Sequence, residues 1–277
     1  MKSMVLTVMI LIAVPTFSGY RQEISTLDWM AMNNGSTNNT DYSYMQKKDD
    51  STIIANDLLV VIDVDNNEYK TVQIGNQLWM AENLKVTRYR NDDPIPILTD
   101  NNDWKDASAG AYCVYDNVSS NAEIYGNLYN WYVVDDPRGL APEGWHIPSD
   151  EEFKELEIYL GMSESEANRS DERGTIEGGM LKEGGTENWK SEMCGNPECP
   201  DGVKGCNCSG FTALPGGYRG SWGGGFSDMK YGGHFWTSTE SGNNFAYGRQ
   251  LRDDISTIFR LSPNDKKSGF SVRCIKD

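Results

Sequence analysis

The sequence predicts an α+β domain with two helices, short antiparallel sheets and long glycine-rich loops. Two stretches, Gly126 to Val134 and Ser149 to Gly161, place apolar residues at helical spacing. Short alternating apolar runs, separated by turn residues, recur on both sides of these stretches. The 277 residues include 28 glycines, 14 tyrosines and 8 tryptophans, a composition that favours aromatic packing with loops over a helix bundle.

The first 18 residues have the pattern of a secretory signal. Lys2 precedes an apolar run, Met4 to Val14, that is too short to span a bilayer. Thr16 and Ser18 are small residues at a plausible cleavage site. We expect a secreted or cell-surface protein; an uncleaved membrane anchor is the alternative.

The remaining chain divides into a linker and one folded domain. Residues 19–55 are polar and lack an apolar period, which predicts a flexible linker. The domain is expected over residues 56–277, and no later segment is apolar enough to cross a membrane. The formal charge of -16 makes nucleic acid a poor partner, because phosphate binding needs a basic surface.

The domain is predicted to begin with a meander. Leu58 to Val64, Tyr69 to Ile74 and Leu78 to Met80 have strand composition. Asn66-Asn67 and Gly75-Asn76 between them favour tight turns. Leu84 to Asp100 should be extended because its prolines block a helix, and Ala111 to Tyr115 should form a short strand before the first helix.

The second predicted helix has the clearest signals in the chain. Ser149 and Glu152 have the spacing of a capping box, and Gly161 can end the helix. Three residues recur on one face: Phe153, Leu156 and Leu160. The acidic residues of this helix are interpreted as a solvated face rather than a catalytic pair.

The C-terminal half is predicted to consist of loops and strands. Residues 162–208 should form a long excursion, and His234 to Thr239 a strand. Ala246 to Leu251 and Ile255 to Leu261 should form a hairpin. Gly269 to Cys274 alternates as a closing strand, which predicts that three side chains share one face: Phe270, Val272 and Cys274.

The six cysteines of an exported chain predict disulfides. Cys113 and Cys274 are isolated, so the simplest pairing joins them at long range. Four others lie in one loop and could form two local bonds: Cys194, Cys199, Cys206 and Cys208. A zinc site in this loop is the alternative, although a single residue between Cys206 and Cys208 is fewer than the roughly two to four that zinc sites use.

Several motifs occur in a specific order: EYKTVQIGNQLWMAENLKVTRY, IYGNLYNWY, GLAPEGWHIPSDEEF, SGFTALPGGYRG, FWTSTE and GFSVRCIKD. In this order they resemble the Fibrobacter succinogenes major paralogous domain, over residues 60 to 277. That family comprises exported or surface bacterial proteins without an established activity. The resemblance therefore implies a location and a fold but no reaction.

The motif order is also similar to the C-type-lectin-like group, which includes the formylglycine-generating enzyme. This similarity implies a lectin-like topology, in which the final strand returns beside the early part of the domain and supports the Cys113–Cys274 pairing. The enzyme needs a cysteine in its penultimate strand. Ile258 to Leu261 lacks one, so the activity is not expected here.

Trp222, on a glycine-rich loop, is the main candidate for ligand contact, because an exposed aromatic among small residues can stack on a sugar or enter a partner's pocket. Three residues could flank it: Tyr218, Arg219 and Tyr231. Trp236, within a strand, is expected in the core.

Calcium is a further possibility, because loop carboxylates and amides are suitable ligands. The candidates lie in adjacent turns, where ordinary turn chemistry is the alternative: Glu240, Asn243, Asn244, Asp253 and Asp254. His146 and His234 are interpreted as hydrogen-bonded structural residues, since no partner at metal-ligand spacing is nearby.

These observations favour a surface binding module for a glycan or a protein, without catalytic residues and with no required cofactor. An extracytoplasmic enzyme with an unrecognised site is one alternative. A structural component of a surface assembly is the other. The long loops between Cys194 and Phe245 are the expected place for ligand contact.

Overall fold

A computed structural model describes residues 60–185, 187–190 and 207–277, which belong to one compact unit, residues 55–277. The fold is α+β, as predicted, but the described ranges contain six α-helices, most of them short, instead of the two expected. The described helices are α1 (Asn101–Lys105), α2 (Ser120–Tyr125), α3 (Trp131–Val134), α4 (Asp150–Tyr159), α5 (Glu164–Ala167) and α6 (Glu177–Leu181). No helix in these ranges is long and apolar enough to cross a membrane.

The strands are named in chain order. The first seven are β1 (Val61–Ile62), β2 (Glu68–Tyr69), β3 (Thr71–Ile74), β4 (Gln77–Met80), β5 (Tyr112–Cys113), β6 (Leu128–Tyr129) and β7 (Trp145–His146). The others are β8 (Asp171–Arg173), β9 (Gly216–Arg219), β10 (Phe226–Met229), β11 (Gly232–Gly242), β12 (Phe245–Arg252), β13 (Ile258–Asp265) and β14 (Ile275–Lys276).

Two larger sheets organise the domain. The six-stranded sheet has the order β10-β9-β11-β12-β13-β8, and its one parallel contact joins β9 to β11 through Gly217 and Gly233. The four-stranded sheet has the order β3-β4-β14-β7, so the C-terminal strand lies between β4 and β7. β1 pairs with β2, and β5 pairs with β6.

The predicted meander is confirmed in outline. Asn66 and Gly75, in the two predicted turns, have φ of 66° and 61°. Tyr69 to Ile74 is divided into β2 and β3 instead of forming one strand. The predicted hairpin of β12 and β13 is also present, with slightly different ends.

The prediction of a helix from Gly126 to Val134 is wrong. Gly126 has a φ of 75° and ends α2, which lies before the predicted range. Leu128 and Tyr129 then form β6 against β5, and only Trp131–Val134 is helical. Pairing with Tyr112 and Cys113 therefore overrides the local helical spacing.

The helix predicted after Ser149 is confirmed. The Ser149 hydroxyl accepts a hydrogen bond from the Glu152 amide at 3.2 Å, and the Glu152 carboxylate accepts one from the Ser149 amide at 2.7 Å. Gly161 follows with a φ of 120°. The apolar stripe of α4 is buried in the core with Trp79, Phe211 and Phe235.

The interpretation of the acidic residues of α4 as a solvated face is wrong for two of them. Asp150 and Glu157 are buried and belong to a group of paired charges. We call this group the α4 charge cluster; it consists of Asp150, Lys154, Glu157, Arg173, Arg249 and Arg260. Because its arginines come from β8, β12 and β13, it joins the helix to the six-stranded sheet.

Two further predictions of the C-terminal half need correction. The excursion after residue 161 contains α5, β8 and α6, and β8 pairs with β13 at the edge of the large sheet. Gly269 to Cys274 forms single bridges instead of a regular strand, and only β14 follows it. Phe270, Val272 and Cys274 do share one core cluster, but Ser271 and Arg273 between them are buried as well.

Candidate functional site

Trp222 is the most exposed large apolar side chain among the described residues, with 89 % of its surface accessible. It lies in the β9–β10 connection, residues 220–225, which we call the Trp222 loop. Two backbone hydrogen bonds close this loop: Gly220 N–H to Gly225 O at 2.8 Å, and Gly224 N–H to Gly220 O at 3.1 Å. An exposed indole is therefore presented on a loop with defined backbone geometry.

Arg219, which immediately precedes this loop, is completely buried and holds the loop through hydrogen bonds. Its Nε donates to Gly224 O at 2.7 Å, and its Nη1 donates to Leu98 O at 2.5 Å. Its Nη2 donates to Thr99 O, Asp100 O and Asn101 Oδ1 at 3.0, 3.0 and 3.1 Å. Carbonyl and amide oxygens, rather than carboxylates, receive these bonds, so Arg219 fixes the loop against the segment before α1.

Aromatic rings and a glycine complete this support. The Arg219 guanidinium lies 4.6 Å from the ring centre of Trp104 and 4.8 Å from that of Phe226. Gly224 has a φ of 65°, and a Cβ there would be 2.2 Å from the Asn101 carbonyl oxygen. Both the conformation and the close contact require glycine at this position. The loop is thus held on both sides of Trp222.

A third segment adjoins the first two, because Asn117 Nδ2 donates to Thr99 O at 3.1 Å. We call the surface formed by residues 97–103, 116–118 and 220–225 the Trp222 face. Besides Trp222 it exposes two aliphatic side chains, Ile97 and Val118. Its exposed polar residues are Thr99, Asp100, Asn101, Asn102, Asp103, Asp116 and Asn117.

The structure separates the four residues predicted to form the binding site. Tyr218 is half-buried, and its ring packs 4.7 Å from that of His234. Arg219 is buried and supports the loop rather than offering a ligand contact. Tyr231 is 51 % exposed but lies beyond the opposite end of β10 from Trp222. Of the four, Trp222 alone is an exposed member of the Trp222 face.

Sequence reasoning missed the asparagines and aspartates of the Trp222 face. Asp100 to Asp103 has the composition of a helix cap, and Asp100 Oδ1 accepts hydrogen bonds from the amides of Asn102 and Asp103. Nothing in the sequence connects this cap with a loop about 120 residues later. The buried arginine at position 219 makes that connection, with partners 118 to 121 residues away.

The calcium candidates do not converge. Glu240, Asn243 and Asn244 lie at the β11–β12 turn, whereas Asp253 and Asp254 lie at the other end of β12. Eight strand residues separate the two groups, a length of roughly 26 Å at about 3.3 Å per residue. Glu240 instead pairs with Lys266. Within the described ranges, no three His, Cys, Asp or Glu side chains form a metal-binding group.

The predicted Cys113–Cys274 bond is absent: both residues are free thiols buried in the core. Cys113 packs with Trp104 and Leu128, whereas Cys274 belongs to a different apolar cluster, which explains why the two do not meet. Burial raises the pKa of Cys113 to about 12 despite the nearby Arg219, and it also raises the pKa of Cys274.

The cysteine-rich loop lies mostly outside the described residues. Cys208 is disulfide-bonded. The positions of the other three cysteines, Cys194, Cys199 and Cys206, fall in the range that the structure does not describe. The pairing within this loop therefore stays a prediction, whereas a disulfide at Cys208 is incompatible with the four-cysteine zinc alternative.

Both histidines form hydrogen bonds, as expected. His146 contacts Glu152 Oε1 at 2.8 Å and Asp277 Oδ1 at 2.7 Å. Partial burial opposes its charge, but the two carboxylates outweigh this effect and raise its pKa. His234 contacts Asp228 Oδ2 at 3.1 Å, and its deep burial lowers its pKa despite that carboxylate. The pKa values of the two histidines are therefore shifted in opposite directions.

Two cavities lie away from the Trp222 face. One, of about 220 Å³, is lined by residues that include Asp63, Arg90 and Glu143, and the other, of about 200 Å³, by residues that include Glu82, Lys85 and Glu183. Both are smaller than the roughly 300 to 1,000 Å³ of typical small-molecule sites. Because both volumes are small for a ligand site, the exposed Trp222 face is the better candidate site.

The fold and this face define a structural class of protein. It is an α+β domain with short helices and two principal sheets, in which a loop held by a buried arginine exposes an aromatic side chain. The family model described as the Fibrobacter succinogenes major domain matches residues 72–276. The chain belongs to this family, which confirms the resemblance found in its motifs. No curated protein and no solved structure matches the chain.

Proposed function

We propose that this chain is an exported or cell-surface binding module with a C-type-lectin-like arrangement, and that it contacts a glycan or a protein through the Trp222 face. The observation that carries the proposal is the exposure of Trp222, at 89 %, on a loop that the buried Arg219 holds in place. A side chain exposed to this degree adds almost nothing to the core, whereas the residues beneath it are arranged to position it.

Two energetic arguments support a role in binding. Burying an aromatic side chain against a partner removes a large apolar area from water, and tryptophan is enriched among the residues that dominate binding energy. Binding also becomes more favourable when the contact segment is already ordered, because less conformational entropy is lost. The bonds from Arg219 to Gly224 and to residues 98–101 supply this order.

The sequence supports export and the lectin-like arrangement. Residues 1–18 have the charge, apolar length and small residues of a secretory signal. The order of the motifs, and long loops on a sheet scaffold, are typical of lectin-like domains. Such loops can change their specificity without disturbing the core beneath them.

The test compares three proteins: the wild type, Trp222→Ala and Tyr231→Ala. Tyr231 is an exposed aromatic at the other end of β10, so it is a matched control for the loss of an exposed ring. Each protein is applied to a glycan array and used to capture surface components of the producing bacterium. We expect Trp222→Ala to weaken binding at least about tenfold, which corresponds to about 1.4 kcal/mol.

Tyr231→Ala should bind like the wild type, and the thermal unfolding of both variants should match that of the wild type. Equal binding by the wild type and Trp222→Ala, with both proteins folded, would overturn the assignment of the Trp222 face. An absence of binding by all three proteins in both assays would count against a binding module and favour a structural component.

A further inference from the structure

We propose that the Trp222 face takes an uncharged glycan chain, with a sugar ring stacked on the Trp222 indole and its hydroxyl groups bonded to the neighbouring amides and carboxylates. This inference rests on the proposed function and names the class of ligand. Three properties of the face carry it: the shape of the aromatic contact, the kind of polar groups beside it, and the sign of its charge.

The aromatic contact fits a flat, partly apolar ring. Glycines occupy position 220 and positions 223–225, so the loop carries no bulky neighbour beside Trp222. At 89 % exposure, most of the indole surface is open to solvent. A sugar ring presents C–H groups on its faces and hydroxyls around its edge. Stacking such a ring on the indole buries apolar surface and leaves the hydroxyls at the rim.

The polar groups of the Trp222 face suit hydroxyl groups. An amide both donates and accepts hydrogen bonds, and so does a hydroxyl. Asn101 Oδ1 is held by Arg219, and Asn117 Nδ2 is held by Thr99 O. Each amide is thereby oriented, and within the described residues this leaves a donor on Asn101 and an acceptor on Asn117. Asn102 adds a third exposed amide.

The charge of the face disfavours acidic glycans. Asp100, Asp103 and Asp116 are exposed there. Two lysines lie at the margin: the Lys105 ammonium is 3.4 Å from Asn102 Oδ1, and Lys267 Nζ donates to the Lys105 carbonyl at 3.1 Å. Arg219 is buried, and its donors are occupied by carbonyl and amide oxygens. The whole chain carries a formal charge of -16. A uronate or sulfate would meet three exposed carboxylates, and this like charge costs free energy at an interface although lysines lie at the margin.

The same carboxylates would attract a cationic ligand, so the choice of a neutral ligand rests on the amides of the Trp222 face. Asp100 already accepts two backbone hydrogen bonds through Oδ1 at the start of α1. The oriented amides of Asn101 and Asn117 have no net charge and give an ammonium group no selective advantage. These amides match the uncharged hydroxyl groups at the edge of a sugar ring. The carboxylates can accept hydrogen bonds from such hydroxyls as well.

The test is affinity gel electrophoresis with soluble polysaccharides of three charge types. Hydroxyethyl cellulose, galactomannan and laminarin are the neutral probes, polygalacturonate is the anionic probe and chitosan is the cationic probe. The proteins are the wild type, Trp222→Ala, Trp222→Phe and Tyr231→Ala. Each is run at about 50 mM and about 500 mM NaCl, because screening weakens ionic contacts over this range.

We expect at least one neutral polysaccharide to retard the wild type. Trp222→Ala should weaken this binding at least about tenfold and Trp222→Phe by a smaller factor, whereas Tyr231→Ala should stay within about twofold of the wild type. The dissociation constant should change by less than about twofold between the two salt concentrations, because no ion pair forms.

Two results would overturn the inference while leaving the proposed function in place. One is Trp222-dependent binding confined to polygalacturonate or chitosan, with a strong dependence on salt. The other is Trp222-dependent capture of a surface protein, together with no retardation by any polysaccharide. A Trp222→Ala variant that behaves like the wild type towards every probe would overturn both the inference and the proposed function.

Discussion

Arg219 and Arg249 are both buried, but their partners differ in kind. Arg219 donates to carbonyl and amide oxygens of the Trp222 loop and of the segment before α1. Arg249 donates to carboxylates of α4: its Nη1 lies 2.7 Å from Asp150 Oδ1, and its Nε lies 2.7 Å from Glu157 Oε1. The first fixes loops that carry an exposed side chain, and the second joins a helix to a sheet.

The comparison shows how one residue type serves two purposes. Carbonyl oxygens are available wherever loops approach each other, so a guanidinium can order irregular backbone without a second charged residue. A carboxylate partner adds charge pairing, which stabilises a fixed contact between regular elements. Arg273 follows the first pattern, since it donates to the carbonyls of Phe211 and Thr212 and to Asn83 Oδ1. Burial lowers its pKa.

The largest expected effect concerns the α4 charge cluster. Glu157 receives both Nη groups of Arg173, at 2.6 and 2.9 Å, in addition to Arg249 Nε. Glu157→Gln would leave two buried arginines short of a carboxylate and should reduce the free energy of unfolding by roughly 3 to 5 kcal/mol. Urea denaturation measures this change.

Glu155→Gln is the matched control on the same helix. Glu155 is exposed, so this change should alter stability by less than about 0.5 kcal/mol. If Glu157→Gln cost as little as Glu155→Gln, the α4 charge cluster would not stabilise the contact between helix and sheet.

The next effect concerns Arg219. Arg219→Lys keeps the charge but cannot reproduce the five bonds of the planar guanidinium. We expect a loss of roughly 2 to 3 kcal/mol from unsatisfied carbonyls, together with weaker ligand binding. Arg252→Lys, at an exposed position, should change neither quantity.

Hydrogen exchange shows where Arg219→Lys acts. The amides of Gly220 and Gly224 should exchange faster than in the wild type, whereas those of α4 should not. Faster exchange spread evenly over the domain would contradict a local role for Arg219 and remove the distinction between the two arginine sites.

A smaller effect separates the two histidines. The lowered pKa of His234 favours its neutral form in the folded state. Its contribution to the free energy of unfolding is therefore present above the unfolded pKa of about 6.5 and is lost as the pH falls through the lower folded value. The raised pKa of His146 gives the opposite result: its contribution is complete below about 6.5 and is lost as the pH rises through the folded value.

Unfolding free energies between about pH 5.5 and 7.5 test these signs. Relative to the wild type, His234→Gln should lose less stability on acidification, and His146→Gln should lose more. The His146 effect should stay below about 1 kcal/mol, because its ion pairs are partly exposed and screened. Parallel pH profiles for the two variants would contradict the opposite shifts.

Local patterns predicted local structure well and long-range contacts poorly. The capping box at Ser149, the turns at Asn66 and Gly75 and the exposure of Trp222 all follow from neighbouring residues. Helical spacing failed after Gly126, where strand pairing with β5 competes with it.

The support of the candidate site could not be predicted, because it depends on one buried arginine. Arg219 is a polar residue in a glycine-rich stretch, which sequence patterns assign to the surface. Its contacts with residues 98–101 exist only once the chain is folded. The free thiols of Cys113 and Cys274 show the same limit. Their pairing was predicted because no other cysteine lies near either one in the sequence, but the sequence does not show which apolar cluster each residue joins.

The central claim is that the Trp222 face contacts the ligand, and chemical-shift mapping tests it most directly. ¹⁵N-labelled protein is titrated with the polysaccharide that retards it most, and the Trp222 indole signal is assigned with Trp222→Phe. We predict shifts at that indole and in residues 97–103, 116–118 and 220–225, with Tyr231 unchanged. Shifts confined to other surfaces, with the Trp222 indole unperturbed at saturation, would contradict the account.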